Sequence, residues 1–172
     1  MIGIIVGSNS DLSYIESGLK LFKEFEIPFM LKISSAHRTP EETVKIIEEM
    51  ENKGVKVFIA VAGYSAHLPG VISAYTIKPV IGVPIPSSDL SGVDALHSIV
   101  QMPPGIPVAT VTIGKAGFKN AVILAIEILA LYDDRIREKL LNYREEMRKK
   151  VINDSKEYEE ELKKSFDEIF RS

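Results

Sequence analysis

The residues best suited to chemistry lie in short polar segments that follow apolar, β-branched runs. One such segment places His37 beside Arg38, directly after Ser34-Ser35-Ala36. An imidazole with a pKa near ~6.5 can move protons at neutral pH, and a guanidinium can bind a phosphate through two hydrogen bonds. The pair therefore indicates proton transfer on a phosphorylated ligand, although both side chains could instead be solvated loop residues.

A second segment, Gly7-Ser8-Asn9-Ser10-Asp11, offers hydroxyls and backbone amides at the start of a predicted helix. Such a helix N-terminus favours an anion. The Asp11 carboxylate would repel phosphate and is better suited to ribose hydroxyls, unless Asp11 or Ser10 simply caps the helix. The segment matches neither the dinucleotide fingerprint nor the P-loop, so neither class of ligand is indicated.

A third segment, residues 62–70, carries His67 among small and apolar residues. Its backbone could approach a ligand closely and its amides could bind a carboxylate. His67 could equally be a structural residue that is hydrogen-bonded in the turn. His97 falls in a helical stretch and is predicted to be a surface or packing residue. The three histidines are spaced 30 residues apart without a local ligand pair, so we predict no metal site.

Five apolar runs predict the strands that position these segments: Ile2–Val6, Phe29–Ile33, and residues 55–61, 80–83 and 108–113. Helical patterns alternate with them, which predicts a parallel sheet covered on both faces. The expected fold class is therefore an α/β three-layer sandwich, flavodoxin-like or Rossmann-like. Ligands of such sheets bind beyond the carboxyl ends of the strands, so the three segments should converge on one pocket.

Several helix boundaries can also be predicted. Thr39 and Glu42 form a capping-box pattern around Pro40, and Gly54 is placed to end that helix. Other helices are expected over residues with an apolar face (Ile15, Leu19, Phe22 and Phe25), over Val93–Val100 and over residues 118–131. Residues 114–117, Gly-Lys-Ala-Gly, are expected to form a turn into the last of these helices, or alternatively another anion contact.

From Asp133 the composition changes, because the last 40 residues hold 23 of the 45 charged side chains. Asn153-Asp154-Ser155 predicts a break between two helices. Residues 1–132 are thus expected to form the catalytic domain and residues 133–172 a helical extension. Its narrow apolar stripe suits packing on either its own domain or a neighbouring subunit. The stripe consists of Ile136, Leu140, Tyr143, Met147 and Val151, then Tyr158, Leu162, Phe166 and Ile169.

The overall composition narrows the function classes. The chain has 172 residues, a formal net charge of −3 and no cysteine. We therefore expect no nucleic-acid partner, no thiolate chemistry and no disulfide framework. No apolar run is long enough to span a membrane, and the N-terminus lacks signal-peptide features. The expected location is the cytoplasm.

Six segments together resemble one enzyme family, the small phosphoribosylaminoimidazole carboxylases, whose bacterial members are 5-(carboxyamino)imidazole ribonucleotide mutases. The resemblance runs from residue 3 to about residue 131 and is highly specific. The matching segments are Gly7-Ser8-x-Ser10-Asp11, Ser35-Ala36-His37-Arg38-Thr39-Pro40, Ala66-His67-Leu68-Pro69-Gly70, Ser91-Gly92-Val93-Asp94, Ser98-Ile99-Val100-Gln101-Met102-Pro103 and Ile113-Gly114-Lys115-Ala116-Gly117.

The resemblance implies a flavodoxin-like fold, a homo-octamer with shared active sites, and an arm that packs between subunits. It implies a cofactor-free step of de novo purine biosynthesis, in which a carboxylate moves from the exocyclic nitrogen of a ribonucleotide to ring carbon 4. Carbon dioxide released inside a closed pocket would be recaptured there, at high effective concentration. His37 matches the catalytic proton shuttle. The implied substrate-binding residues are Ser8, Ser10, Asp11, Ser35, Ala36, Arg38, Gly63, Ala66, His67 and Leu68, the stretch 63–68 enclosing the carboxylate.

One departure from the family pattern concerns Tyr64-Ser65, where two small residues are expected. The tyrosine could narrow the carbon dioxide pocket or point away from it. The alternative activity is direct carboxylation of aminoimidazole ribonucleotide by free carbon dioxide. That branch carries Asn-Gly-Leu-Gly-Pro in place of residues 66–70, which favours the mutase. A non-catalytic flavin or nucleotide module and a structural scaffold are more distant alternatives.

Overall fold

The predicted strands form one parallel sheet in the computed structural model, which describes the backbone of residues 1–171 and the side chains of residues 1–166. The chain divides into two compact units, Met1–Tyr132 and a second that begins at Asp133. In the first unit, strands alternate with helices. Their bounds are β1 (Ile2–Val6), a 3-10 helix (Asn9–Asp11), α1 (Leu12–Glu24), β2 (Phe29–Ile33), α2 (Pro40–Asn52), β3 (Val57–Ala62), α3 (Leu68–Tyr75), β4 (Val80–Pro84), α4 (Val93–Val100), β5 (Ala109–Thr110) and α5 (Gly114–Ala130).

The strand order of the sheet is β2-β1-β3-β4-β5. This order is the flavodoxin-like one, in which the sheet is wound in two directions from its centre. Strands β1, β3 and β4 are buried along their whole length, as expected for strands with helices on both faces. The flavodoxin-like three-layer fold predicted from the sequence is confirmed.

The end of α2 explains why β3 begins later than predicted. Gly54, at φ 89°, donates from its amide to the Glu51 carbonyl at 2.9 Å, and the Val55 amide donates to the Met50 carbonyl at 3.0 Å. This pair of bonds is a Schellman cap, which requires a left-handed residue at the glycine position. Gly54 therefore ends the helix as predicted, and Val55 belongs to the cap rather than to the strand.

The start of α2 corrects one prediction. Pro40 occupies the first turn as expected, but the Thr39 side chain makes no capping bond to the helix. Its hydroxyl donates to the Ser35 carbonyl and accepts from the Ser35 amide, both at 3.1 Å. The capping box is wrong because Thr39 closes the preceding loop instead, the loop that carries His37 and Arg38.

The last strand of the sheet is shorter than predicted, and the helix after it begins earlier. Strand β5 covers Ala109–Thr110 at the sheet edge, and α5 begins at Gly114. Gly117 lies so close to the Thr112 carbonyl that a Cβ atom would come within 1.6 Å of its oxygen. Residues 114–117 therefore form the first turn of α5, packed against the chain that leaves β5.

The second unit is a single helix, α6 (Asp134–Arg171), of 38 residues. Asp133 caps it, since its Oδ1 accepts from the amides of Arg135 and Ile136. The predicted break at residues 153–155 is wrong. Asn, Asp and Ser each cost a helix only about 0.5 kcal/mol or slightly more, and the Ser155 hydroxyl donates to Glu159 one turn later. The Ile169 side chain, assigned to the apolar stripe, lies outside the described residues.

In the part of the chain that the structure describes, no helix has the length and apolar content of a membrane span.

We expect Gly117→Ala to destabilise the first unit by about 2 kcal/mol or more, because the contacting atom is a backbone oxygen that cannot rotate away. The free energy of unfolding from chemical denaturation measures the effect. Ala116→Ser is the matched control, since Ala116 is exposed in the same turn. A Gly117→Ala protein as stable as its parent would contradict this packing.

Candidate active site

The loop after β1 holds the acidic residue Asp11 in a small hydrogen-bond network. Ser8 accepts a hydrogen bond from the Ser10 amide at 3.2 Å, and the Ser10 hydroxyl donates to Asp11 at 3.2 Å. Asp11 makes no side-chain capping bond to α1. The capping alternative is therefore wrong for Asp11, because Ser8 caps this turn instead.

The Asp11 carboxyl is only 7% exposed. Burial raises its pKa above the usual value, while hydrogen bonds from Ser10 and Ser8 and the charge of Arg38 oppose this shift. The net direction is upward, so the folded chain holds this carboxylate at a cost.

The loop after β2 holds Arg38 through a serine. The Ser35 hydroxyl accepts from the Arg38 amide at 3.3 Å and from Arg38 Nε at 3.4 Å. Beneath the loop, the buried Ser34 and Thr43 hydroxyls lie 2.7 Å apart. The loop is thus fixed from below by α2, while the remaining guanidinium nitrogens of Arg38 stay available to an anion.

The loop after β3 has an unusual backbone. Tyr64 and Ala66 adopt φ angles of 51° and 31°, in the left-handed region that non-glycine residues rarely occupy. The Ala66 amide donates to the Gly63 carbonyl at 3.0 Å, which closes the turn before α3. Strain of this kind occurs where the surrounding structure fixes a backbone for a function.

The two histidines predicted as candidates meet across these loops. His37 Nε2 lies 2.7 Å from His67 Nδ1, and the two rings pack edge to face with centroids 4.7 Å apart. A bond of this kind requires one ring nitrogen to donate and the other to accept, so it fixes the tautomers of the two histidines relative to each other. Both side chains are exposed in the single chain.

The three loops converge on one cavity of about 420 Å³ at the carboxyl edge of the sheet. Every residue predicted for the site lines it. These residues are Ser8, Ser10, Asp11, Ser35, Ala36, His37, Arg38, Gly63, Ala66, His67 and Leu68.

Four further residues line the same cavity: Gly7, Ala62, Tyr64 and Ser87. The first three flank predicted residues, and Tyr64 faces the cavity edge while 64% exposed. Ser87 is new, since it follows β4 rather than one of the three polar segments. The rule that placed the other loops at strand carboxyl ends, applied to the fourth strand, would have found it.

Other candidates lie elsewhere. His97 is exposed on α4, as predicted, and does not line the cavity. Residues 114–117 do not line it either, so they act as the packed first turn of α5. Within the described residues, no group of three His, Cys, Asp or Glu side chains is arranged to hold a metal ion.

Comparison with known proteins identifies the family. The family model described as AIR carboxylase matches residues 1–150. The chain belongs to the AIR carboxylase family. A solved member, the crystal structure of Treponema denticola PurE, superimposes with a TM-score of 0.81 at 34% identity, covering 89% of this chain and 94% of that one.

Two relatives of this chain carry the same activity name. N5-carboxyaminoimidazole ribonucleotide mutase of Methanocaldococcus jannaschii is 52% identical over 163 residues, which cover 95% of this chain and all of the relative. The protein of the same name from Escherichia coli is 45% identical over 151 residues, 88% of this chain and 89% of the relative.

We expect Asp11→Asn to raise the free energy of unfolding at pH 7. Because burial raises the pKa of Asp11, the folded state binds its proton more tightly than the unfolded state, and the carboxylate costs stability as pH rises. The asparagine removes this cost. The gain should disappear below pH 3.8, where the carboxyl is protonated in both states. Chemical denaturation at both pH values measures it.

The exposed Asp89→Asn is the matched control and should leave stability unchanged at both pH values. A destabilised Asp11→Asn protein at pH 7 would mean that the carboxylate holds its loop together, contrary to the cost inferred from its burial.

Proposed function

We propose that this chain is an N5-carboxyaminoimidazole ribonucleotide mutase of purine biosynthesis that acts in the cytoplasm. The observation that carries the proposal is the meeting of His37, His67, Arg38 and Asp11 in one cavity, in a chain whose named relatives are mutases. The reaction moves a carboxylate from the exocyclic nitrogen of the substrate to carbon 4 of its imidazole ring.

The polar groups suggest how the substrate lies. Arg38 and the Ser8 hydroxyl bind the phosphate, and Asp11 accepts hydrogen bonds from the ribose. The charge of Arg38 acts on the Asp11 carboxylate as well, so it offsets the repulsion between that carboxylate and the phosphate. Gly63, Ala66 and Leu68 leave their backbone near the imidazole end, where amides receive the migrating carboxylate.

His37 performs two proton transfers in this proposal. As its protonated form donates a proton to the exocyclic nitrogen, the nitrogen–carbon bond breaks and carbon dioxide is released. Ring carbon 4 attacks the carbon dioxide, and neutral His37 then removes the proton from that carbon. Charge and atoms balance over the two transfers, because the proton that His37 gives in the first is returned in the second. The rearrangement as proposed consumes no cofactor. His67 lies 2.7 Å from His37. It stabilises both the neutral form of His37, left by the first step, and the protonated form, left by the second.

Tyr64 gives the pocket one feature of its own. Its left-handed backbone places it at the cavity edge, with most of its surface exposed. An aromatic ring there can restrict the path of carbon dioxide to solvent without occupying the ribonucleotide site. This position supports the first of the two alternatives that the sequence leaves open, in which Tyr64 narrows the pocket.

The proposal predicts that the purified chain converts the carboxyamino ribonucleotide to the 4-carboxylated product. His37→Asn should reduce turnover by at least a thousandfold, since asparagine cannot carry the proton. The variant should unfold at the parent's temperature, because His37 is exposed. Product formation is followed by absorbance and thermal unfolding by circular dichroism.

His97→Asn is the matched control and should keep full turnover, since His97 is exposed outside the cavity. The parent is also tested with aminoimidazole ribonucleotide and bicarbonate. Efficient use of this pair alone would make the chain a direct carboxylase. An active, folded His37→Asn protein would exclude the proton shuttle.

We further propose that the chain forms a homo-octamer in which neighbouring subunits share the site. In the single chain His37, Arg38, Tyr64 and His67 are exposed, yet the reaction needs a pocket that retains carbon dioxide. A groove of about 460 Å³ shares Ala66 and His67 with the candidate site and continues along Val71, Ala74 and Tyr75. A second copy seated in this groove would cover His67.

The arm, residues 133–172, is proposed to pack on a neighbouring subunit. Met147, Val151, Tyr158 and Leu162 expose apolar side chains along α6. Residues 134–150 carry seven basic and four acidic side chains, whereas residues 151–172 carry four basic and seven acidic ones. Opposite ends of two such helices therefore attract each other, which favours antiparallel pairing of arms.

Light scattering of the parent should give eight times the 19.1 kDa mass of one chain. Two variants test this assembly. Ala74→Glu should lower both the mass and the turnover, because it places a charge in the groove beside His67. Truncation after Lys150 should lower the mass of the assembly more than it lowers the turnover. Lys56→Glu, exposed before β3, is the control. A parent that is monomeric and fully active would contradict the shared site.

A further inference from the structure

Ser87 carries a buried polar group at the carboxyl edge of the sheet. Its hydroxyl is buried and has no hydrogen-bond partner among the residues whose side chains the structure describes. A buried, unsatisfied hydroxyl is unfavourable, because it has lost its hydrogen bonds to water without gaining others. Ser87 nevertheless lines the candidate cavity, so the group that satisfies it can be a ligand.

The backbone opposite Ser87 is shaped around this hydroxyl. A Cβ atom at Gly63 would lie within 2.2 Å of Ser87 Oγ, so only glycine leaves room for the serine there. The Ser87 amide donates to the Ile85 carbonyl at 3.0 Å, which holds the residue at the end of β4. Gly63 and Ser87 together form one wall of the cavity.

The strand order separates this wall from the proposed phosphate site. Arg38 follows β2 and Ser87 follows β4, and β1 and β3 lie between those strands. The two loops therefore leave the sheet three strand spacings apart. A phosphate bound at Arg38 therefore puts the imidazole end of the ligand toward β3 and β4, where Ser87 lies.

We propose that Ser87 is a carboxylate-binding residue of this site, donating a hydrogen bond from its hydroxyl to the carboxylate of the ribonucleotide. The inference rests on the proposed function and extends it, because it assigns a side chain to the group that migrates. In this proposal the bound ligand draws the Ser87 hydroxyl into another staggered χ1 position, away from the Gly63 wall.

The experiment compares one ligand that has the carboxylate with one that lacks it. For Ser87→Ala, kcat/KM with the carboxyamino ribonucleotide should fall about tenfold or more, the usual loss of a hydrogen bond to a charged group. The inhibition constant of aminoimidazole ribonucleotide, measured in carbon-dioxide-free buffer, should stay within about twofold. The melting temperature should not fall, because the substitution removes an unsatisfied hydroxyl.

Ser88→Ala is the matched control. The Ser88 hydroxyl accepts from the Leu90 amide at 3.2 Å, and Ser88 does not line the cavity, so both constants should stay at parent values. Equal weakening of both ligands by Ser87→Ala would show a structural role and overturn the inference, as would an unchanged kcat/KM. A parent without turnover would overturn the proposed function itself, so the two failures are distinguishable.

Discussion

The register of β1 against its two neighbours determines where the side chains of the three polar loops lie. Val6, the last residue of β1, pairs with Ile33 of β2 and with Val61 of β3, so three loops leave the sheet at one level. A slip of two residues in β2 would move His37 by roughly 6.6 Å along the sheet. The 2.7 Å contact between His37 and His67 would then be lost. The chemistry of the cavity is therefore a consequence of how tightly the buried central strands specify their pairing.

The carboxyl edge of the sheet concentrates features that reduce stability. Asp11 is a buried carboxyl with a raised pKa, Tyr64 and Ala66 hold left-handed backbones, and the Ser87 hydroxyl lacks a partner. The core beneath is regular, with β1, β3 and β4 fully buried. Single departures of the same kind occur elsewhere, at the left-handed Glu26 and Ser91 and at the buried Ser17 hydroxyl. The carboxyl edge gathers several of them around one cavity, as expected of a binding site, because groups arranged for a ligand are imperfectly satisfied without it.

The fold and most of the cavity lining could be predicted because both follow from the order of apolar runs and polar loops. Ser35, Arg38 and Gly63 needed only the rule that ligands bind at strand carboxyl ends. The bond between His37 and His67 could not be predicted, since it depends on side-chain directions in two loops that are distant in sequence.

The errors have a common physical cause, the choice between competing local partners. The Thr39 hydroxyl could cap α2 or bind the Ser35 backbone, and the loop supplied the better geometry. The turn-forming residues 153–155 were outweighed by the helix formers on either side. In each case the sequence pattern indicates which hydrogen bonds or turns are possible. The three-dimensional contacts determine which of them forms.

The distribution of charge in the cavity fits the proposed reaction. Among its lining residues, all in the fully described first unit, Arg38 is the one permanent cation, and it belongs to the phosphate end. At the other end the proposed carboxylate donors are backbone amides and the Ser87 hydroxyl, and the only charge beside them is the proton that His37 transfers. The carboxylate loses its charge when it becomes carbon dioxide, halfway through the reaction. A fixed cation beside it would stabilise substrate and product, which both carry the carboxylate, more than the carbon dioxide intermediate, and would therefore raise the barrier. Neutral donors bind the carboxylate without opposing its release, and the cation, kept at the phosphate, anchors a part of the ligand whose charge never changes.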